Sequence, residues 1–309
     1  MRFNKLDLNL LVALDVLLVE RNVSRSADRL HVTQSAVSNA LARLRDYFDD
    51  EILVPVGRRM ELTPRAELLK EAVRDILVRI ESSVTAKPLF EPRTSDRRFR
   101  IFVSDYTMIT LVPHVLGLAG QQAKAVEFEL LPQTNLAHRP LERGEADLLI
   151  IPSEYASTEH PTEALFDEDF VCVCWNQSAY AGGKLTRRKF LEASHVVMQP
   201  TNQALSYESA IMTRLGVERR IGVRTFSFAA LPYLIVGTDR IATIHARLAL
   251  LAQKSLPIRL MRPPFDIPPM RQVMQWHSYL MKDPGMVWLR NLLREATTRM
   301  DKFDVATAL

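Results

Sequence analysis

At 309 residues the chain exceeds what one small core needs and fits two or three domains. Its make-up, 47% hydrophobic and 25% charged without a low-complexity tract, excludes a disordered or fibrous protein. The formal net charge of +4, from 40 basic and 36 acidic residues, is too small for bulk charge to argue for nucleic-acid binding, so local placement must carry that case.

In the opening stretch "MRFNKLDLNLLVALDVLLVERN", Leu8, Leu11, Val12, Leu18 and Val19 recur at helical spacing. Asp7, Asn9 and Asp15 interrupt the apolar run and no small-residue cleavage site follows, which reads as an amphipathic helix rather than a signal peptide. No run approaches the roughly 20 apolar residues of a membrane span. A cytoplasmic chain with no membrane partner is expected.

A second helix is expected from Ser24, as its N-cap, to Leu30, then a turn at His31 and Val32. A third, capped by Thr33, reaches Phe48. Its apolar stripe is Val37, Ala40, Leu41, Leu44 and Phe48, and its opposite side carries Gln34, Ser35, Ser38, Asn39 and Ala42. Short polar groups there, instead of Lys and Glu, suit close approach to a major groove about 12 Å wide. Gln34 and Asn39 each offer a paired donor and acceptor to a base edge, and the helix start favours phosphate. Arg43, Arg45, Arg58 and Arg59 add positive charge beside this face. Thr33, Gln34, Ser35, Ser38, Asn39, Arg43, Arg58 and Arg59 are therefore the candidate DNA-binding residues.

"ILVPVGRRMELT" alternates around Gly57 as a two-stranded wing, whose arginines are placed to enter a minor groove. Thr63 as N-cap and Pro64 at the first helical position start a linker helix. Its residues Ala66, Leu69, Val73, Ile76 and Ile80 form a coiled-coil-like seam, expected to face a second copy of the chain. The alternative is a helix lying on its own domain. "KPLFEPRTSDRR" then marks a boundary.

Beyond it, strands "FRIFVS", "VEFELLP", "ADLLIIP", "FVCVCW", "HVVMQP", "IGVRTF" and "RIATI" alternate with helical stretches, an α/β pattern with largely parallel sheets. A final helix runs from Asp283-Pro284 to about Met300, and the tail gives no signal. Cys172 and Cys174, two apart on one strand face, suit buried small hydrophobes rather than a zinc or redox pair, and so few cysteines fit a reducing compartment. With 10 glycines, no G-x-S-x-G elbow, no phosphate-cradling loop, no H-E-x-x-H and 7 scattered histidines, the reading is of no enzyme, no metal and no cofactor.

The block "SRSADRLHVTQSAVSNALARLRDYFDDEILVPVGRRMELTPRA" carries A-x-x-L, then T-Q-x-A-x-S, L-x-x-L-x-x-x-F and a wing ending in L-T-P. With "RFRIFVSDY", "LERGEADLLIIP" and "VCVC", it resembles the LysR-type transcriptional regulators, nearest their NodD-like branch of nodulation and aromatic-acid-sensing proteins. The resemblance implies a mixed fold: an N-terminal all-α winged helix-turn-helix (1–63), a linker helix (64–90) and an α/β periplasmic-binding-protein-like effector domain (91–309) of two subdomains, about 97–166 with 268–300 and about 167–267. It also implies a sequence-specific regulator, an activator, bound to double-stranded promoter DNA as a homodimer through the linker helix and as a homotetramer. RNA polymerase and a small aromatic effector, flavonoid-like or an aromatic carboxylate, are the further implied partners. The rivals are an effector-independent regulator, a small-molecule-binding protein or an enzyme. Two positions depart from the pattern: Ser35 replaces a frequent proline, and "GTDRIATIHARLA" places His245 where the family carries proline.

Ligands of open α/β sheets bind beyond the carboxyl ends of strands. Three such ends supply the candidate effector residues: Ser104, Asp105, Tyr106 and Thr107 at a helix start that favours a carboxylate or phenolate; Gln199, Thr201 and Asn202; and Phe226, Ser227 and Phe228. Trp276 and His277 are further candidates for the cleft wall. Crossovers between subdomains are expected at Phe166 to Val171 and at Arg262 to Pro269, where "RPPFDIPP" forms a modest hinge.

Overall fold

The computed structural model describes residues 6–57, 59–80, 90–133, 139–199 and 205–300. Arg58, Thr201, Asn202 and the tail after Met300 lie outside the described residues. The chain divides into two compact units, residues 1–87 with 142–145 and residues 88–141 with 146–309.

The first unit opens with α1 (Leu8–Glu20), started by Asp7, whose carboxylate accepts from the Leu10 amide at 2.8 Å. Helix α2 (Val23–Leu30) begins one residue before the expected Ser24 because Asn22, in extended conformation, is its cap and accepts from the Arg25 amide at 2.9 Å. Asn caps as well as Ser does, and Ser24 lies inside the first turn. His31 takes a left-handed φ of 55° and turns the chain into α3 (Gln34–Phe48), capped by Thr33. Strands β1 (Leu53–Val56) and β2 (Arg59–Leu62) pair antiparallel around Gly57, whose φ of +62° favours glycine. Then α4 (Pro64–Ile80) follows, with the Thr63 hydroxyl accepting from the Ala66 amide at 3.1 Å.

One core joins these elements: Leu10, Leu14 and Leu17 of α1, Val37, Leu41 and Leu44 of α3, Leu53 of the wing, and Ala66 and Val73 of α4. The expected inter-chain seam is thereby corrected at three of its five residues, Ala66, Leu69 and Val73. Its residues Ala66 and Val73 are buried within the unit, Leu69 and Leu77 pack on the same cluster, and Arg74 donates to Asp15 of α1 at 2.5 Å. A periodic apolar stripe shows that a face is covered and says nothing of what covers it; here α1 does. Ile76, also a residue of the expected seam, stays exposed with Leu68 and Ala72.

Between α3 and β1 the buried Ile52 has φ 61°, an uncommon conformation for a β-branched residue. Asp50 holds it, accepting from the Ile52 amide at 2.7 Å and from the Thr63 hydroxyl at 2.6 Å. The Thr63 hydroxyl, with help from the Ile52 amide, keeps the Asp50 carboxyl below its ordinary 3.8. Asp50→Ala is expected to cost this unit about 1–2 kcal/mol, the worth of two such bonds. Because the folded pKa is depressed, the Asp50 contribution is present above pH 3.8 and lost as pH falls through the lower folded value. Thermal melts of parent and variant from pH 7 to pH 2 should therefore converge at the acid end, and parallel curves would refute the assignment.

The second unit contains two five-stranded sheets. In chain order its elements are β3 (Arg98–Val103), α5 (Asp105–Thr110), α6 (Val112–Gln122), β4 (Glu127–Pro132), α7 (Arg139–Glu142), β5 (Leu148–Pro152), β6 (Thr162–Glu168), β7 (Phe170–Trp175), α8 (Arg187–Glu192), β8 (Ser194–Met198), α9 (Tyr207–Arg214), β9 (Arg220–Thr225), α10 (Leu231–Ile235), β10 (Arg240–His245), α11 (Ala246–Gln253), β11 (Ile258–Met261), β12 (Met270–Trp276) and α12 (Pro284–Thr298). Sheet I runs β4-β3-β5-β12-β6 and sheet II runs β11-β7-β10-β8-β9. Each is mixed rather than largely parallel. β12 lies antiparallel to both its neighbours in sheet I, and β7 to both of its neighbours in sheet II. These are the strands that follow each passage of the chain between sheets, which enters the receiving sheet against its grain. The passages fall at Asp169 and at residues 262–269. Sheet I and α12 enclose a core around Phe99, Ile101, Leu148, Leu289 and Leu293. Sheet II has an apolar cluster around Val173, Val196 and Ile244, and a second containing Cys172 and Cys174. Both thiols are fully buried, and burial pushes that of Cys172 up to about 12, so it is held as an unreactive thiol.

Candidate functional site: a nucleic-acid interface and a ligand cavity

On α3, Val37, Leu41 and Leu44 point into the core, which turns Gln34, Ser35, Ser38, Asn39, Ala42 and Arg43 outward, all exposed. Thr33 spends its hydroxyl on the cap, accepting from the Ala36 amide at 3.3 Å and lying 3.0 Å from the Ser35 hydroxyl. Gln34, Ser38 and Asn39 are thus the polar side chains that face outward from the first two turns without a structural task among the described contacts. Arg43 pairs with Asp7 at 3.1 Å, both about half exposed. Arg45 is braced instead: it donates to the carbonyls of Glu51 at 2.9 Å and Leu53 at 3.1 Å, and so fixes the entry to the wing rather than serving as free charge. Arg59 is exposed at the start of β2.

In the second unit a cavity of about 100 Å³ lies between the sheets, among Ser104, Tyr106, Gln133, Phe170, Tyr207, Phe228, His245, Met270 and Gln272. Strand ends build it. Ser104 follows β3, Gln133 follows β4, and His245 is the last residue of β10, paired in register with Phe170 of β7. Gln272 sits where the register of β12 against β6 slips, opposite Phe166 while Val273 opposes Ala164. Such bulges commonly re-aim side chains beside a site. The Tyr106 ring stacks on His245 at 3.8 Å between centroids, and Phe228 meets His245 edge-on at 4.8 Å. Burial pushes the His245 imidazole down to about 3, so it is neutral near pH 7.

Three candidate effector residues line this cavity: Ser104, Tyr106 and Phe228. The others do not. Thr107 is fully buried under Ser104. Gln199 lines a separate groove, and Phe226 is 80% exposed. Trp276 packs in the sheet I core with Arg290 over its ring, and His277 lies against His160 and Tyr279. Asp105 and Ser227 bind each other: the Asp105 carboxylate accepts from the Ser227 hydroxyl at 2.6 Å and the Ala229 amide at 3.0 Å, joining the sheet I side to the sheet II side. The short α5 is equally occupied, since Ser104 accepts from the Thr107 amide and Asp105 from the Tyr106 amide. The expected cradle for a ligand carboxylate is therefore filled by the chain's own oxygens.

Sequence reasoning missed Gln133, Phe170, Tyr207, Met270 and Gln272. His245 was visible at a strand end, under the same rule that singled out Ser104. Asp105→Ala is expected to release the Ala229 amide, and its hydrogen exchange should accelerate at least tenfold while exchange in β3 stays unchanged. Equal exchange at Ala229 in parent and variant would exclude the bridge.

Residues 8–67 match the model of the bacterial regulatory helix-turn-helix protein, lysR family, and residues 92–298 match the LysR substrate binding domain. The chain is 39% identical over 302 residues to a nodulation protein D of Bradyrhizobium sp. (strain ANU 289), covering 97% of this chain and 89% of the relative. It is likewise 39% identical to a nodulation protein D 1 of Mesorhizobium japonicum, covering 97% and 96%. The crystal structure of a probable transcriptional regulator from Pseudomonas aeruginosa superposes with a TM-score of 0.64 at 28% identity, over 97% of this chain and 98% of that one. The two family models together span most of the chain, the nodulation relatives match it at 39% identity over 97% of its length, and the chain belongs to the LysR family of transcriptional regulators.

Proposed function

We propose that this regulator reads double-stranded promoter DNA with the outward face of α3 and that a small aromatic molecule in the cavity of its second unit tunes the response. The observation that carries the first half is the face itself: Gln34, Ser38 and Asn39 exposed at the start of a helix whose other side is core. Gln34 and Asn39 have the paired donor and acceptor that read an adenine edge, and Ser38 keeps the backbone close to the groove floor. Arg43, Arg59 and Arg58 act on phosphates or the minor groove and set register. The second half rests on the aromatic lining of the cavity, with Tyr106, Phe170, Tyr207 and Phe228 contributing.

The family consists of regulators, not enzymes, and among the described residues no helix is long and apolar enough to cross a membrane. Assembly into a homodimer, and from dimers a homotetramer, uses the exposed Leu68, Ala72 and Ile76 of α4, of which Ile76 belongs to the expected seam. Ligand-dependent closure about residue 169 and the proline-rich 262–269 passage would change the spacing of DNA half-sites and the contact with RNA polymerase, giving activation. Footprinting of the DNA upstream of the coding region, with and without aromatic compounds, tests this reading. Protection of two half-sites whose spacing or hypersensitivity changes with a compound is the expected result; no protection at low salt would end it.

A further inference from the structure

Two non-glycine residues between α3 and β1 take a left-handed φ, Asp49 at 48° and Ile52 at 61°. A β-branched residue rarely adopts that conformation, and such outliers persist only where their surroundings hold them. What is held here is the direction of the wing. Strands β1 and β2 have four residues each and pair with one another in a sheet of two, and a lone two-stranded hairpin is marginally stable in water. At the base of the wing Leu53 is buried and Met60 and Leu62 pack on the core, while Pro55, Val56, Gly57 and Arg59 are exposed. The wing therefore stands out from the core on its base alone.

That base is gripped from α3. In the last turn of the helix, the Arg45 guanidinium donates through Nε to the Glu51 carbonyl at 2.9 Å and through a terminal nitrogen to the Leu53 carbonyl at 3.1 Å, clasping the residues on either side of Ile52. Asp50 meanwhile accepts from the Ile52 amide. The Glu51 carboxylate, 3.1 Å from Arg45 Nε, answers the positive charge of the guanidinium. Leverage gives this grip its consequence. From Leu53 to Gly57 the wing extends about 13 Å, at about 3.3 Å per residue, so a tilt of about 15° at its base displaces the tip by about 3 Å. That is close to one base-pair step of about 3.4 Å, and a hydrogen bond made at about 2.9 Å is lost well before it.

We propose that Arg45 is a positioning residue of DNA binding: it fixes the wing relative to the recognition face of α3, so that Arg59 and the α3 side chains engage one duplex in a single register. This role rests on the reading of the wing as a DNA contact.

A double-mutant cycle on the full chain tests it, with Arg45→Met, Arg59→Ala and the pair titrated by gel shift at several salt concentrations against the duplex from upstream of the coding region. Met keeps the helix propensity of Arg and loses the planar fork. Each single variant should bind about fivefold or more weakly than the parent, with a salt slope lower by about one. The pair should be no more than about twofold weaker than Arg45→Met alone, and its slope should also be lower by about one, because a displaced wing has no Arg59 contact left to lose. Losses that multiply, with a slope lower by about two, would make Arg45 a phosphate contact in its own right and overturn the proposal. Arg45→Met binding like the parent while Arg59→Ala binds weakly would overturn it and leave the wing reading intact; parent-like binding by Arg59→Ala would end both. If Arg45→Met lowers the melting temperature, an iron chelate on Val56→Cys decides, since the strand breaks it makes report where the wing sits on bound duplex whatever the affinity. Cys172 and Cys174 are fully buried and do not take the label. Breaks shifted or spread by about one base pair in Arg45→Met are expected; breaks at the same steps as in the parent would refute the positioning role.

Discussion

Asn39→Ala is expected to reduce affinity for the operator by about 5- to 150-fold, the 1–3 kcal/mol that a bidentate side chain contributes to discrimination, while leaving affinity for scrambled duplex unchanged. Asn39 is exposed on α3 and makes no side-chain hydrogen bond among the described residues, so the substitution removes little that stabilises the fold. Arg59→Ala should behave differently. Exposed on the wing, it carries charge rather than a base code, so its loss should weaken specific and scrambled duplex alike and lower the salt slope by about one. Ser38→Arg forms a third arm: a long side chain at this position should hold the helix off the groove floor and erase selectivity while raising non-specific affinity. Gel-shift titrations at several salt concentrations separate the three. If Asn39→Ala weakened both duplexes equally, the residue would be a phosphate contact and the recognition face would have to be rotated around α3.

Much of the fold was legible because its signals are local. Thr33, Thr63 and Asp283 each cap the helix that follows them, and each precedes an apolar period that a reader of the sequence can count. The face of α3 was legible for the same reason, since burial of Val37, Leu41 and Leu44 fixes where Ser38 and Asn39 must lie. What failed depended on distant partners. The α4 stripe was real, but the surface that covers its Ala66, Leu69 and Val73 includes α1, where Asp15 lies 59 residues before its partner Arg74. Asp105 at a helix start looked like a ligand group, yet its partner Ser227 lies 122 residues away and no local pattern announces it. Gln272 was invisible as a site residue because it sits within an apolar strand whose slipped register appears only once β6 is placed beside it. His245 was noticed as a departure from the family pattern and not as a cavity residue; its meaning required Tyr106 and Phe228 around it.

Glu168→Leu should be the most damaging single change in the second unit. Glu168 is fully buried at the end of β6, beside the passage between sheets, and three groups from both sides converge on it. Arg247 of α11 donates to it through its guanidinium at 2.6 Å and through its amide at 3.0 Å, and the Tyr106 hydroxyl of α5 donates as well. Burial pushes the Glu168 carboxyl above its ordinary range against the pull of Arg247, so the pair is not there because it is cheap. Replacing one member of such a pair costs about 3–5 kcal/mol, since the other charge stays buried alone. Replacing both by apolar groups of similar volume is often close to neutral. Glu168→Leu with Arg247→Met should therefore recover most of the loss, and Tyr106→Phe added to these should recover more by removing the hydroxyl left without an acceptor. Denaturant unfolding of the single, double and triple variants measures this directly. A double variant as unstable as the sum of its singles would mean that Glu168 and Arg247 act independently. Recovery of stability with loss of ligand response would instead assign the pair to holding the two sheets at the angle that the cavity requires, because Tyr106 is at once the third partner of Glu168 and the ring on which His245 stacks.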